Sequence, residues 1–175
     1  MAELSFDSVS DQIARQCALR ANHVALADSS RAVTYAQLGA MIERVAASLQ
    51  RDGVKPGDSV ALCATSTLEY AAVMLGVLRC GAVVVPLPTS ATAQVMAGLL
   101  SDCDARMLFL DAAIAELCAP LHLHQRLKCI RLDESAGGPT LSAWLAPSGS
   151  TPRPVRSEGD APFNIIYSSG TTGAP

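Results

Sequence analysis

No block of basic residues occurs anywhere in the chain: its 13 Lys and Arg are scattered through 175 residues against 16 Asp and Glu, for a net charge of −3. Electrostatics therefore makes no case for nucleic acid, and an anionic ligand would have to be held locally. The nucleotide signatures GxxxxGK[ST] and GxGxxG after a strand are also missing. None of the six cysteines (17, 63, 80, 103, 118 and 129) forms a CxxC pair. A disulfide framework or a cysteine metal cluster is thus disfavoured, and free, mostly buried thiols in a reducing compartment are expected. The N-terminus carries Glu3, Asp7 and Asp11 without a basic start or a long apolar core, so it does not read as a secretory signal. The most apolar region, Tyr70 to Leu78, is interrupted by Arg79 and followed by Gly81, Pro86 and Pro88, too short and broken to span a bilayer. A soluble, cytoplasmic protein without internal repeats is the expectation.

Charge is scarce as well, at 17% of residues, while 50% are hydrophobic. That balance is odd for a finished surface. It fits a portion of a larger domain, some of whose apolar faces belong against residues outside this chain.

The pattern of apolar residues predicts an α/β fold. Phe6, Val9, Ile13 and Cys17 form one stripe of a first helix running to about Arg20. Val24 to Asp28 and Arg31 to Tyr35 read as short strands around a turn. A helix from Tyr35 to Arg51 turns Leu38, Ile42, Val45 and Leu49 inward. Val60 to Ala64, Ala82 to Leu87, Arg106 to Leu110 and Leu127 to Leu132 are apolar strands, of the unbroken kind found in parallel sheets covered on both faces. Helices are predicted between them: one from a capping box at Ser66 and Glu69 to about Cys80, apolar nearly all round and so expected to be buried between layers, one from about Ala91 to Leu100, and one from about Asp111 to Cys118. Strands separated by helices make βαβ units and a largely parallel sheet. His122 and His124 could share one face of an extended strand, but no further ligand matches them and no metal site is expected. Residues 133–162 hold five of the ten prolines and four glycines. They read as a long surface connection with one short helix near Leu141 to Leu145.

The connection leads to the stretch most like a site. Phe163 to Tyr167 is apolar and β-prone, and it runs into Ser168, Ser169, Gly170, Thr171, Thr172 and Gly173. Glycines let a backbone approach a ligand closely, successive N–H groups can cradle an anion, and four hydroxyls add donors. The nearest upstream carboxylates are Glu158 and Asp160, so nothing inside the loop repels phosphate. On residues alone, a Ser/Thr/Gly surface turn explains the stretch as well as a phosphate cradle does.

The run from Ile165 to Pro175, IIYSSGTTGAP, closely resembles the phosphate-loop signature of the adenylate-forming enzymes: acyl- and aryl-CoA ligases, luciferases and peptide-synthetase adenylation domains. Thr34-Tyr35 with Leu38, and the run LGVLRCGAVVVPLP, resemble two further motifs of that family, so the resemblance covers nearly the whole chain. It implies that residues 1–175 are the N-terminal portion of an AMP-binding domain, incomplete at its C-terminal end. It further implies ATP with Mg as co-substrate, a small carboxylic acid activated as acyl-AMP, and coenzyme A as the most favoured thiol acceptor. Ser168 to Gly173 would bind the ATP phosphates. The catalytic residues, including a lysine, and the metal ligand would lie beyond Pro175, so these residues alone are expected to be inactive and, with an uncovered edge at 163–167, to self-associate. An adenylation domain of a peptide synthetase and a non-catalytic α/β binding module are the alternatives.

Overall fold

The computed structural model describes residues 7–123, 127–135, 138–156 and 158–168. Its centre is a four-stranded sheet in the order β4-β3-β5-β6, built from β3 (Ser59–Cys63), β4 (Val83–Pro86), β5 (Met107–Leu110) and β6 (Lys128–Arg131). Every pairing in it is parallel. The unbroken apolar runs are explained by the alternation of side chains across a strand. Val60, Leu62, Met107, Phe109 and Ile130 enter one core, and Ala61, Cys63, Val85, Leu108 and Leu110 enter the other.

The first core lies beneath α2 (Tyr35–Arg51) and α3 (Leu68–Arg79), and the second beneath α4 (Ala93–Asp102) and α5 (Ala112–Cys118). The result is a three-layer α/β/α body. A smaller cluster of Leu38, Ile42 and Ala72 seats the amino-terminal helix α1 (Val9–Leu19) and the hairpin of β1 (Val24–Ala27) and β2 (Ala32–Thr34). Helices α2 and α3 touch closely at Gly76, where an added Cβ would meet Val45 Cγ1 at 2.4 Å. Small size there sets the packing of one helix on the other.

Three local expectations need correction. Helix α3 is capped by Thr67, whose hydroxyl accepts from the Tyr70 amide, and the predicted Ser66–Glu69 capping box does not form. Ser66 is instead exposed in the turn that leaves β3. That helix is also not enclosed all round: Leu68, Ala72, Val73, Gly76 and Val77 are buried, and Tyr70, Met74 and Leu78 only partly. His122 is not on a strand. It follows a 3-10 turn over Ala119–Leu121, started by Pro120, and takes a left-handed φ of 49°. His124 lies outside the described residues.

The Pro/Gly-rich connection is less superficial than its composition implies. Its short helix α6 (Leu141–Trp144) places Leu141 and Trp144 in the first core, with the Trp144 ring edge-on to Phe109 at 5.2 Å. The fully buried Ser48 hydroxyl donates to the Arg44 carbonyl and accepts from the Ala146 amide at 2.7 Å. Arg44 and Arg51 donate to the carbonyls of Ala146 and Trp144. Farther on, Gln50 and Arg153 exchange two hydrogen bonds of 2.7 and 3.0 Å. The connection is thus strapped along α2 by polar contacts wherever it lacks apolar ones. Gly81, at φ 76°, is pressed beneath it: a Cβ there would meet Val155 Cγ1 at 2.6 Å.

Asp52 closes this network, accepting from Trp144 Nε1 and Lys128 Nζ at 2.6 Å each and from Arg51 Nε at 3.1 Å. Burial works against its charge, but the hydrogen bonds from Lys128, Arg51 and Trp144 prevail and hold its carboxyl below the usual range. A carboxylate whose pKa is lower folded than unfolded adds stability above the unfolded value. That contribution is lost as pH falls through the folded value. Melting temperatures should therefore fall below about pH 4. Asp52→Asn should flatten that acid limb, and an unchanged limb would mean that Asp52 is not a principal acid-sensitive group.

Candidate phosphate-loop site

The segment carrying the loop reaches the sheet by a single parallel bridge, Asn164 to Val84. Val84 donates to the Phe163 carbonyl at 3.0 Å, and Ile165 donates to the Val84 carbonyl at 2.9 Å. The predicted strand over 163–167 is thus reduced to one bridge at the outer side of β4. Because the pairing is parallel, the segment runs with β4 toward the carboxyl ends of the strands. Four residues beyond Asn164, about 13 Å at 3.3 Å per residue, Ser168 comes out at that end. In open parallel sheets this is the end at which ligands bind.

Side chains alternate along the segment. Ile165 and Tyr167 pack against the second core, whereas Phe163 and Ile166 are 58% and 72% exposed. The Tyr167 hydroxyl donates to Asp102 Oδ2 at 2.6 Å and lies 3.4 Å from the Leu99 carbonyl, both on the last turn of α4. Burial, and then the bond to Asp102, push the Tyr167 phenol well above its ordinary pKa, so it remains a donor. Alternation from Ile165 could have flagged Tyr167 as inward-facing. Nothing in the sequence marks Asp102 as its partner.

Of the six predicted site residues, Ser168 is described and exposed, while Ser169, Gly170, Thr171, Thr172 and Gly173 lie outside the described residues. The neighbouring strand ends carry other polar groups. Thr65, Ser66 and Thr67 follow β3, and Thr89 and Ser90 follow β4, all exposed. Asp111, after β5, accepts from the Thr65 amide and hydroxyl at 2.8 and 3.1 Å and caps α5 through the Ile114 amide. Asp133, after β6, accepts from the Ala112 amide at 2.6 Å. These carboxylates are committed to backbone donors and organise the turns. The arrangement offers a hydroxyl-rich rim at the carboxyl end, suited to an anion that makes many hydrogen bonds.

A groove of about 470 Å³ lies at the opposite, amino end, between Pro56, Gly81, Val155, Pro162 and Phe163. It is more apolar than polar and does not include Ser168. The exposed Phe163 and Ile166 lie along the same edge, on whose outer side no described strand pairs. The isolated 175 residues should therefore bind the dye ANS and self-associate. Replacing Phe163 and Ile166 with serine should reduce both. A dye-silent monomer in sedimentation would contradict this expectation.

The thiols show no sign of chemistry. Burial pushes Cys63 up to about 12 and both Cys80 and Cys129 up to about 11. All six cysteines are free. Among the described residues no group of three or more His, Cys, Asp or Glu could hold a metal ion, and no helix is long and apolar enough to cross a membrane.

Residues 13–175 match the family described as AMP-binding enzyme. The fatty acid–acyl-carrier-protein ligase ScoC of Streptomyces coeruleorubidus is 32% identical over 146 residues, 83% of this chain and 27% of that protein. The 3-hydroxybenzoate–CoA ligase of Aromatoleum sp. (strain CIB) is 32% identical over 89% of this chain and 30% of its own length. Among solved structures, the anthranilate CoA ligase AuaEII with anthranoyl-AMP superposes with a TM-score of 0.88 at 26% identity, over 95% of this chain and 33% of that one. The chain therefore spans about a third or less of the length of these relatives.

Proposed function

The chain belongs to the AMP-binding enzyme family, and on that premise we propose that it is the N-terminal portion of an adenylation domain in an acid–thiol ligase. The complete protein binds ATP with Mg and a small carboxylic acid. The carboxylate attacks the α-phosphorus, giving an acyl-adenylate and releasing pyrophosphate, and the acyl group then passes to the thiol of coenzyme A with release of AMP. Residues Ser168 to Gly173 hold the β- and γ-phosphates that leave as pyrophosphate. Such a displacement needs positioning and charge neutralisation more than covalent help from the protein.

The observation that carries this reading is the parallel bridge of Asn164 on Val84, which directs the chain at Ser168 toward the carboxyl end of the sheet. The donor set fits a polyphosphate, with four hydroxyls, two glycines and no carboxylate within the loop. No residue of this chain is assigned to the metal or to proton transfer. Two relatives named as CoA ligases support coenzyme A as acceptor. The similarity to ScoC favours a carrier-protein thiol as the second reading. Free buried thiols suit a cytoplasmic location.

The test is ATP–pyrophosphate exchange by the complete protein over a panel of fatty and aromatic acids, followed by acyl transfer to coenzyme A or to a carrier protein. Acid-dependent exchange and an acyl-CoA product are expected. The isolated 175 residues should support no exchange. Absence of exchange with every acid in the complete protein would favour a non-catalytic binding module.

A further inference from the structure

We propose that Tyr167 and Asp102 form a latch that sets the register of the loop beginning at Ser168, so that Tyr167 is a positioning residue for ATP. The proposal rests on the phosphate-loop reading above. Its starting point is how little else holds the segment. The backbone joins β4 by two hydrogen bonds around one bridge, and no described strand pairs on the far side. So short a pairing specifies register weakly, and a slip of one residue would exchange the inward and outward faces. Tyr167 would then swing out and Ile166 in, and every group after it would shift by about 3.3 Å. Phosphate contacts do not tolerate such a shift, since misplacement by about 1 Å is enough to cost 100-fold in rate.

The latch opposes that slip from the side away from β4. The Tyr167 hydroxyl meets Asp102 at 2.6 Å, and its ring packs on the core that contains Met96, Leu99 and Cys103. Asp102 is the last residue of α4, whose final turn has no basic residue. A carboxylate at a helix C-terminus is opposed by the helix dipole. Among the described residues it has no ion pair with a basic side chain, so the donor it meets here is a phenol. The segment is thereby fixed at two points, to β4 through Phe163 and Ile165 and to α4 through Tyr167, directly before the loop.

Tyr167→Phe and Asp102→Ala, made in the complete protein, should each raise the KM for ATP by about 10-fold or more in pyrophosphate exchange. The KM for the acid should stay within about 2-fold. The double variant should be no worse than either single one, because both remove the same bond. Asp102→Asn, which keeps an acceptor oxygen, should restore most of the ATP affinity. A second readout is independent of activity: chymotrypsin cleaves after both Tyr and Phe, and nicking after residue 167 should be faster in Tyr167→Phe and Asp102→Ala than in the wild type and Asp102→Asn. Unchanged ATP KM, additive losses, or a parallel fall in ATP and acid parameters together with melting temperature would overturn the latch. If the wild type exchanges no pyrophosphate with any acid, the functional reading fails and the nicking rates alone decide whether the latch exists.

Discussion

Trp144→Ala is expected to destabilise the protein by about 3–5 kcal/mol, the range for emptying a large aromatic side chain from a core. Domain stabilities are only about 5–15 kcal/mol, so much of the folded population would be put at risk. At about 2–4 °C per kcal/mol, the melting temperature should fall by roughly 6–20 °C. Trp144 is 5% exposed and stands edge-on to Phe109, with the Arg51 guanidinium 5.8 Å from its ring centre. Its Nε1 also donates to Asp52. Alanine would leave a cavity against Phe109 and take one donor from a carboxylate that is already largely buried. Trp144→Phe keeps most of the ring contact and removes only the donor, so a loss of about 1–3 kcal/mol is expected. If both variants melted like the wild type, the strap over α2 would not be part of the cooperative core.

Trp144 also shows where a sequence stops being legible. Strands β3 to β6 could be read because parallel strands covered on both faces are written as unbroken apolar runs. Helix α2 could be read, at roughly Tyr35 to Arg51, because seventeen residues display a full stripe. A four-residue helix in a Pro/Gly-rich stretch displays no period. Its place in the core follows from Phe109, thirty-five residues earlier, and from polar atoms on α2, none of which leaves a local trace. The α3 cap was missed by one residue because Ser66 and Thr67 are both competent caps. What separates them is where β3 ends and how Thr65 is tied to Asp111. At the candidate site the motif was legible and the direction of the segment leading to Ser168 was not. That direction comes from a bridge to Val84, eighty residues away.

The second large effect concerns the loop. In the complete protein, Thr171→Val together with Thr172→Val should lower adenylation by about 100-fold to 10,000-fold. Hydrogen bonds to charged groups contribute roughly 1.5–3 kcal/mol each, and about 1.4 kcal/mol is a factor of ten in rate. Valine keeps the branched shape of threonine and removes the hydroxyl, so the melting temperature should change little. Gly173→Val should give a comparable loss if the loop uses a positive φ there. Wild-type rates of AMP formation in both variants would contradict the proposed phosphate-binding role of these residues. A melting temperature that fell with the rate would assign the loss to the fold.

The bridge at Val84 has a kinetic corollary. Amide directions alternate along a strand, and in β4 they divide between two neighbours. Val83 donates to the carbonyl of Asp58, just before β3, and Leu87, just after β4, to that of Leu62 in β3, while Val84 donates to Phe163. Adjacent amides of one strand therefore report on different events. Hydrogen exchange at Val83 and Leu87 requires the sheet itself to open, a process near the global unfolding free energy. Exchange at Val84 and Ile165 requires only that the segment before the loop lift off, a sub-global opening of two bonds. The two amides should exchange together and faster than Val83, and a bound polyphosphate should slow them selectively. A pair of neighbouring backbone protons thus separates docking of the segment before Ser168 from the stability of the sheet beneath it.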